Sequence, residues 1–186
     1  RKAAHRMQVD EAKTLFYKAF ANIRRPGADK LIEWLEKTDF FRAPASTRYH
    51  SDYEGGLLVH SVNVYNRLNC ENPETRAICG LLHDLCKVGF YKVEMRNTKD
   101  ASGNWIKVPY YTVDDQFPYG HGEKSVYIMQ KFIQLTEEEA FAIRWHMGGF
   151  DDAVRGGSYS LNEAFKKYPL ALELHIADLR ATYLDE

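Results

Sequence analysis

The sequence is short of the features that would place it in a specialised class. Its 186 residues include three cysteines, Cys70, Cys79 and Cys86. The number is odd and no pair is spaced as CxxC, which argues against a disulfide framework or a thiolate zinc site and suits the reduced thiols of a cytoplasmic protein. No apolar run reaches the roughly 18 residues of a membrane-spanning helix. The opening Arg1-Lys2-Ala3-Ala4-His5-Arg6 leads into a polar amphipathic stretch, not the apolar core of a signal peptide. The expectation is a soluble, unexported chain with no membrane partner. Neither sign of charge dominates, with 25 Lys and Arg against 26 Asp and Glu. No global basic field exists to hold a long nucleic acid, so the default partner is small. Internal repeats, linkers and low-complexity segments are absent, and the length fits a single domain, residues 1–186, able to close a core without staples.

What is there is mostly helical periodicity. Leu15, Phe16, Ala19, Phe20 and Ile23 form the apolar stripe of a helix over residues 10–23, stopped by Arg24-Arg25-Pro26-Gly27. A second helix over 28–37 turns Leu31, Ile32 and Leu35 inward. Residues 38–56 are loop-like and long for a compact domain, and such loops tend to carry function; this one holds Arg48, Tyr49 and His50. A helix over 57–68 follows, with His60 bordering its buried row. Asn72-Pro73 restarts the chain, and Ala77, Ile78, Leu81, Leu82 and Leu85 make the most apolar helix of the protein, with His83 and Asp84 near its end. Between about 90 and 118 the period changes to two, with Asp100-Ala101-Ser102-Gly103-Asn104 as turn material: a β-hairpin inserted in a helical chain. Its aromatics could rim a pocket or simply pack as a surface flap. Helices then run from Gly122 toward Gln134, and from the capping box opened by Thr136 with Glu139 to His146. A second loop covers 150–159, and a last helix begins near Pro169 and carries Asp178.

His60, His83, Asp84, His121, His146 and Asp178 therefore sit at or near the ends of strongly apolar helices. Singly, each has an ordinary explanation: a core histidine holding a hydrogen bond, or a carboxylate capping a helix or meeting its dipole. Jointly, four imidazoles and two carboxylates are an N/O donor set suited to Fe, Mn, Co, Ni or Zn. A buried helix ending in His83-Asp84 needs something to neutralise the pair, and a cation would do so.

The order Gly55-Gly56-Leu57-Leu58-Val59-His60, Leu81-Leu82-His83-Asp84-Leu85-Cys86-Lys87, Gly120-His121-Gly122, Ile143-Arg144-Trp145-His146 and Ala177-Asp178 resembles the H…HD…H…H…D pattern of the HD-domain metal-dependent phosphohydrolases. The stretch 135–146 is similar to HD-type symmetrical diadenosine-tetraphosphate hydrolases, and 50–60 to the HD domain of bacterial 3′–5′ exoribonucleases. The resemblance implies an all-α HD-type helical bundle with the hairpin as an insertion. It implies one or two divalent metals, the first held by His60, His83, Asp84 and Asp178, and the second by His121 and His146 with Asp84 bridging. It also implies hydrolysis of a phosphoester or phosphoanhydride in a small phosphorylated substrate, a nucleotide by preference, by water that the metal activates. Lys87 resembles the family lysine that contacts phosphate, and Asp84 and Lys87 become the expected catalytic pair. His50 and Arg180 are further choices for substrate binding, Lys87's alternative being a solvated cation at a helix end. His175 is expected to support the site or the core, Glu123 to be a first-turn helix acid, and His5 to play no part. Met147, where cyclic-dinucleotide phosphodiesterases of this superfamily carry a second histidine, leaves room for a non-catalytic nucleotide sensor. A nuclease acting on single-stranded ends would instead need a groove built from Arg42, Arg48, Arg144, Arg155 and Arg180.

Overall fold

The structure, a computed structural model, describes residues 6–186; His5 lies outside them. The described chain is mostly helical with one antiparallel hairpin: α1 (Val9–Phe20), α2 (Ala28–Lys37), α3 (Gly56–Arg67), α4 (Pro73–Leu82), β1 (Tyr91–Lys99), β2 (Trp105–Val113), α5 (His121–Gln130), α6 (Glu137–Arg144), α7 (Asp152–Arg155), α8 (Ser160–Lys167) and α9 (Pro169–Arg180). None of these helices is long and apolar enough to cross a membrane. The pivot is α3, in which every residue from Gly56 to Val64 is buried. A helix covered on all sides must be packed from several directions, and α1, α4 and α9 do so. On the other side of α4 lies α6, against which α5 and α9 also pack.

Local chemistry explains the helix ends. Asn72 caps α4 by accepting from the amides of Glu74 and Thr75, with Pro73 in the first turn. Thr136 and Glu139 close the expected capping box on α6. Two of the glycines that close approach requires bear on the site: a Cβ on Gly56 would lie 2.0 Å from the Ser51 carbonyl oxygen, and one on Gly122 would lie 1.9 Å from that of Arg144. The first lets the 38–55 loop fold back onto α3, and the second lets the start of α5 sit on the end of α6. The apolar helix expected to run through Leu85 stops instead at Leu82; His83 caps it and Leu85–Lys87 forms a separate 3-10 turn. The helix α7 lies within the expected loop 150–159, and α8, between that loop and the last helix, was not anticipated. With Leu161 and Ala164, α8 builds a small second core around Trp145.

The hairpin pairs Tyr91 with Val113 through Lys99 with Trp105. Its strands stand away from the bundle, leaving Val93, Met95 and Trp105 exposed. Only its base is anchored: the Tyr91 hydroxyl donates to the Ala45 carbonyl, and Lys124, buried in α5, pairs with Asp115 in the return loop.

Candidate metal centre

The ends of three helices and the middle of a fourth meet at one point. His83 and His146 follow the last turns of α4 and α6, Asp178 lies in the last turn of α9, and His60 is in the middle of α3. The last four carbonyls of a helix have no partner within it. The His83 Nδ1 donates to the Gly80 carbonyl at 3.0 Å and the His146 Nδ1 to that of Ile143 at 2.7 Å, each three residues back. A carbonyl can only accept, so both rings carry their proton on Nδ1 and direct Nε2 inward.

The inward nitrogens converge on carboxylates. Asp84 lies 3.1 Å from His146 Nε2, 3.4 Å from His60 Nε2 and 3.5 Å from His83 Nε2. Asp178 lies 3.1 Å from His60 Nε2 and 3.9 Å from His83 Nε2. Among the described residues, three overlapping groups of possible ligand atoms fall within 4.8 Å of one another: His60, His83 and Asp84; His83, His146 and Asp178; and His50, His60 and Glu186. His60, His83, Asp84, His146 and Asp178 could thus hold a metal ion. An imidazole and carboxylate set, with two rings already fixed through Nδ1, fits a divalent transition metal.

Electrostatics shows how tightly these charges interact. Burial alone would lower the pKa of His60, but Glu186 and Asp178 raise it to about 10. Burial lowers His83 to about 4. His146 is raised by its hydrogen bond to Asp84 in spite of burial. Burial favours the neutral acid of Asp84, yet Lys87 and His83 hold it well below the carboxylate range. For Asp178 and Glu186 too, burial acts upward and is outweighed, chiefly by His60. The Lys87 ammonium sits 2.9 Å from Asp84 and is held charged by it against burial.

Asp84, His146 and Asp178 form the floor of an open cavity of about 930 Å³, lined also by His50, Lys87, His121, Arg155, His175 and Glu186, whereas His60 and His83 are buried and do not line it. Four exposed aromatic side chains stand at it: Tyr49 (86% exposed), Tyr119 (56%), Phe150 (53%) and Tyr183 (76%). No residue of the strands lines it; the hairpin contributes only its return loop, through Tyr119 and Gly120. That favours the flap over the rim for the hairpin itself.

The expected residues are not all brought together. His146 joins the groups around His83, whereas His121 lines the cavity outside every such group, its Nδ1 3.5 Å from Cys86 Sγ. Burial lowers its pKa. His50 turns Nδ1 toward Glu186 at 3.1 Å. Arg180 is exposed and does not line the cavity, because two residues along a helix from Asp178 is a rotation of about 200°. Of the arginines considered for a nucleic-acid groove, Arg155 alone lines it; Arg144 is committed to Glu123 and Asp151. His175 donates its Nδ1 to the His146 carbonyl at 2.8 Å. Glu186 was not expected at all: it follows a π-helical turn, Ala181–Asp185, in a stretch with no motif or period to mark it. No protein-family model, curated protein or solved structure matches the chain, so the chemistry of this centre is read from its own residues.

Proposed function

We propose that the protein is a divalent-metal phosphohydrolase of HD type, cleaving a phosphoester or phosphoanhydride bond in a small phosphorylated substrate, by preference a nucleotide. The observation that carries this reading is the convergence of the His60, His83 and His146 Nε2 atoms with Asp84 and Asp178; three of these residues, Asp84, His146 and Asp178, line an open cavity. Those five residues would hold the cation, which when bound supplies Lewis acidity to the phosphoryl group and acidifies water. Lys87, at the cavity wall beside Asp84, offers an ammonium to a phosphate oxygen. Tyr49, Tyr119, Phe150 and Tyr183 offer π faces to a planar base at the mouth, where stacking is worth roughly 1–3 kcal/mol per base in other proteins. The order of the motifs along the chain supports the same family.

The test is metal analysis of protein loaded with Mn²⁺ or Fe²⁺, followed by a phosphate-release screen over nucleotides, cyclic nucleotides and dinucleoside polyphosphates. We expect stoichiometric metal and a turnover that His83→Ala abolishes; protein that takes up no metal would sink the proposal. A second reading, a nucleotide sensor with a single-metal or inert pocket, is favoured by His121, whose ring nitrogens join none of the ligand groups. It predicts a nucleotide that raises the thermal midpoint and is recovered intact.

A further inference from the structure

His60 differs from the other two inward-facing histidines in what holds its outer nitrogen. His83 and His146 use neutral backbone carbonyls three residues back. His60 lies in the middle of α3, where the carbonyls are engaged in the helix, and finds a carboxylate instead: Glu186, with Oε2 at 3.0 Å and Oε1 at 3.2 Å from Nδ1. Glu186 is itself held from two further directions. His50 Nδ1 lies 3.1 Å from Oε1, and the Ser51 hydroxyl donates to the same oxygen. Ser51 is the one non-glycine residue described with a positive φ, at 49°, and it is buried. Its carbonyl packs where a side chain on Gly56 would be. A strained serine seated against a glycine, with its hydroxyl on a buried carboxylate, is a built receptor for that carboxylate. One residue earlier, Asp185 makes a two-pronged pair with Arg67 on α3, at 2.7 and 3.0 Å.

We propose that Glu186 is the positioning residue of His60, and that docking of the segment 181–186 on α3 and on loop residues 50–51 is coupled to metal binding at the centre. The inference rests on the metal reading above. A carboxylate accepting the Nδ1 proton fixes the ring with its Nε2 lone pair inward and raises its basicity toward a cation; losing such a partner typically costs about 10–100-fold in metal affinity. Coupling of this kind is reciprocal, so a cation on Nε2 strengthens the hold on the segment. The same segment places Thr182 and Tyr183 on the cavity wall, so the cation would order part of the surface that meets the substrate.

The probe is Co²⁺ titrated against a competing chelator, with the fold followed by far-UV circular dichroism. Wild type, Glu186→Ala, Glu186→Gln and Asp185→Asn are compared. We expect Glu186→Ala to weaken Co²⁺ binding about 10–100-fold and Glu186→Gln, whose amide oxygen still accepts from Nδ1, to lie between it and wild type. Asp185→Asn, which loosens the segment without touching a ligand, should weaken binding less than either. A second readout is the paramagnetically shifted Nδ1 proton of His60 in the Co²⁺ protein. It should be slow to exchange in wild type and lost to solvent exchange in Glu186→Ala. Equal affinity in wild type and both Glu186 variants overturns the inference. So does a stoichiometry that falls by one while the remaining affinity is unchanged, because Glu186 would then be a ligand with His50 and His60. Should Glu186→Ala fail to fold, the isosteric Glu186→Gln decides. A wild-type protein that binds no Co²⁺ removes the metal reading as well, a result distinct from the others.

Discussion

The pair Asp84 and Lys87 can be tested apart from any activity, by stability in the presence of a chelator. Lys87 has 12% of its side chain exposed and its ammonium lies 2.9 Å from Asp84 Oδ2. Asp84→Asn keeps the shape but leaves that ammonium in a nearly closed site without its counter-charge, and removes the carboxylate that three imidazoles face. Removing one partner of a buried pair costs about 3–5 kcal/mol, and at this chain length each kcal/mol lowers the thermal midpoint by about 2–4 °C. Lys87→Met strands much less, because Asp84 still faces His60, His83 and His146; the loss of one charged hydrogen bond is worth about 1.5–3 kcal/mol. In the double variant no ammonium is left unpaired, so its destabilisation should fall short of the sum of the single effects by about 2 kcal/mol. Urea unfolding of the four proteins gives the coupling directly. Independent sites add to within about 0.3–0.5 kcal/mol; additivity at that level would refute the claim that this carboxylate holds the lysine in place.

Two further outcomes follow from the charges. In chelator, the midpoint should peak near pH 6.5: His83, lowered to about 4 by burial, withdraws stability as pH falls below its ordinary 6.5, while His60, raised to about 10, contributes stability that is full below 6.5 and lost as pH rises toward 10. Asp84, Asp178 and Glu186 add a loss at still lower pH, because depressed carboxylates stabilise fully only above their ordinary values and lose that contribution as pH falls toward their folded-state values; a midpoint unchanged between pH 6.5 and 9 contradicts the assignment of His60. Glu139→Ala removes the carboxylate that binds Arg25 with both oxygens, leaving the guanidinium to Glu74 and the Gln134 carbonyl, and takes an acceptor from Thr75; it should cost about 1.5–3 kcal/mol in urea unfolding yet leave metal uptake by the folded protein unchanged.

Glu139 also illustrates what could be read from the sequence. Its place in the capping box with Thr136 was legible because the two residues are three apart and the motif is local. Its pairing with Arg25, more than a hundred positions away, has no sequence period to announce it. The same division runs through the site. His60, His83, Asp84, His146 and Asp178 were legible because each lies on or just beyond an apolar helical pattern that says which way the residue points. His121 begins a helix after a glycine-rich turn whose geometry no pattern specifies, and the structure leaves it outside the ligand groups. Arg180 has the charge to meet a substrate phosphate, but the helical rotation from Asp178 carries it away from the cavity. Glu186 follows a π-helical turn, where the 3.6-residue rule gives no face at all. The apolar run to Leu85 was legible as helix, but its end at Leu82 depends on His83 reaching back to the Gly80 carbonyl, a contact only the folded chain reveals.

That hydrogen bond bears on why a cation would settle here. A helix C-terminus carries a partial negative charge from its unpaired carbonyls. The centre gathers the C-terminal ends of α4, α6 and α9, together with Asp84, Asp178 and Glu186. His83 and His146 each satisfy one of the exposed carbonyls and in doing so aim Nε2, the nitrogen a cation would take, at the same point. The field and the ligands thus share one origin, the ends of helices whose apolar faces the sequence makes unmistakable. The same field works against a phosphate: six carboxylates line the cavity, Asp84, Glu123, Asp151, Asp152, Asp178 and Glu186, and the cations Lys87 beside Asp84, Arg144 beside Glu123 and Asp151, and His60 beside Asp178 and Glu186 are already paired with them. Positive charge added at this floor would favour an anion there. In a phosphohydrolase, the cation that supplies the chemistry would also admit the substrate, and Lys87, already held beside Asp84, would be the protein's own positive charge nearest that cation.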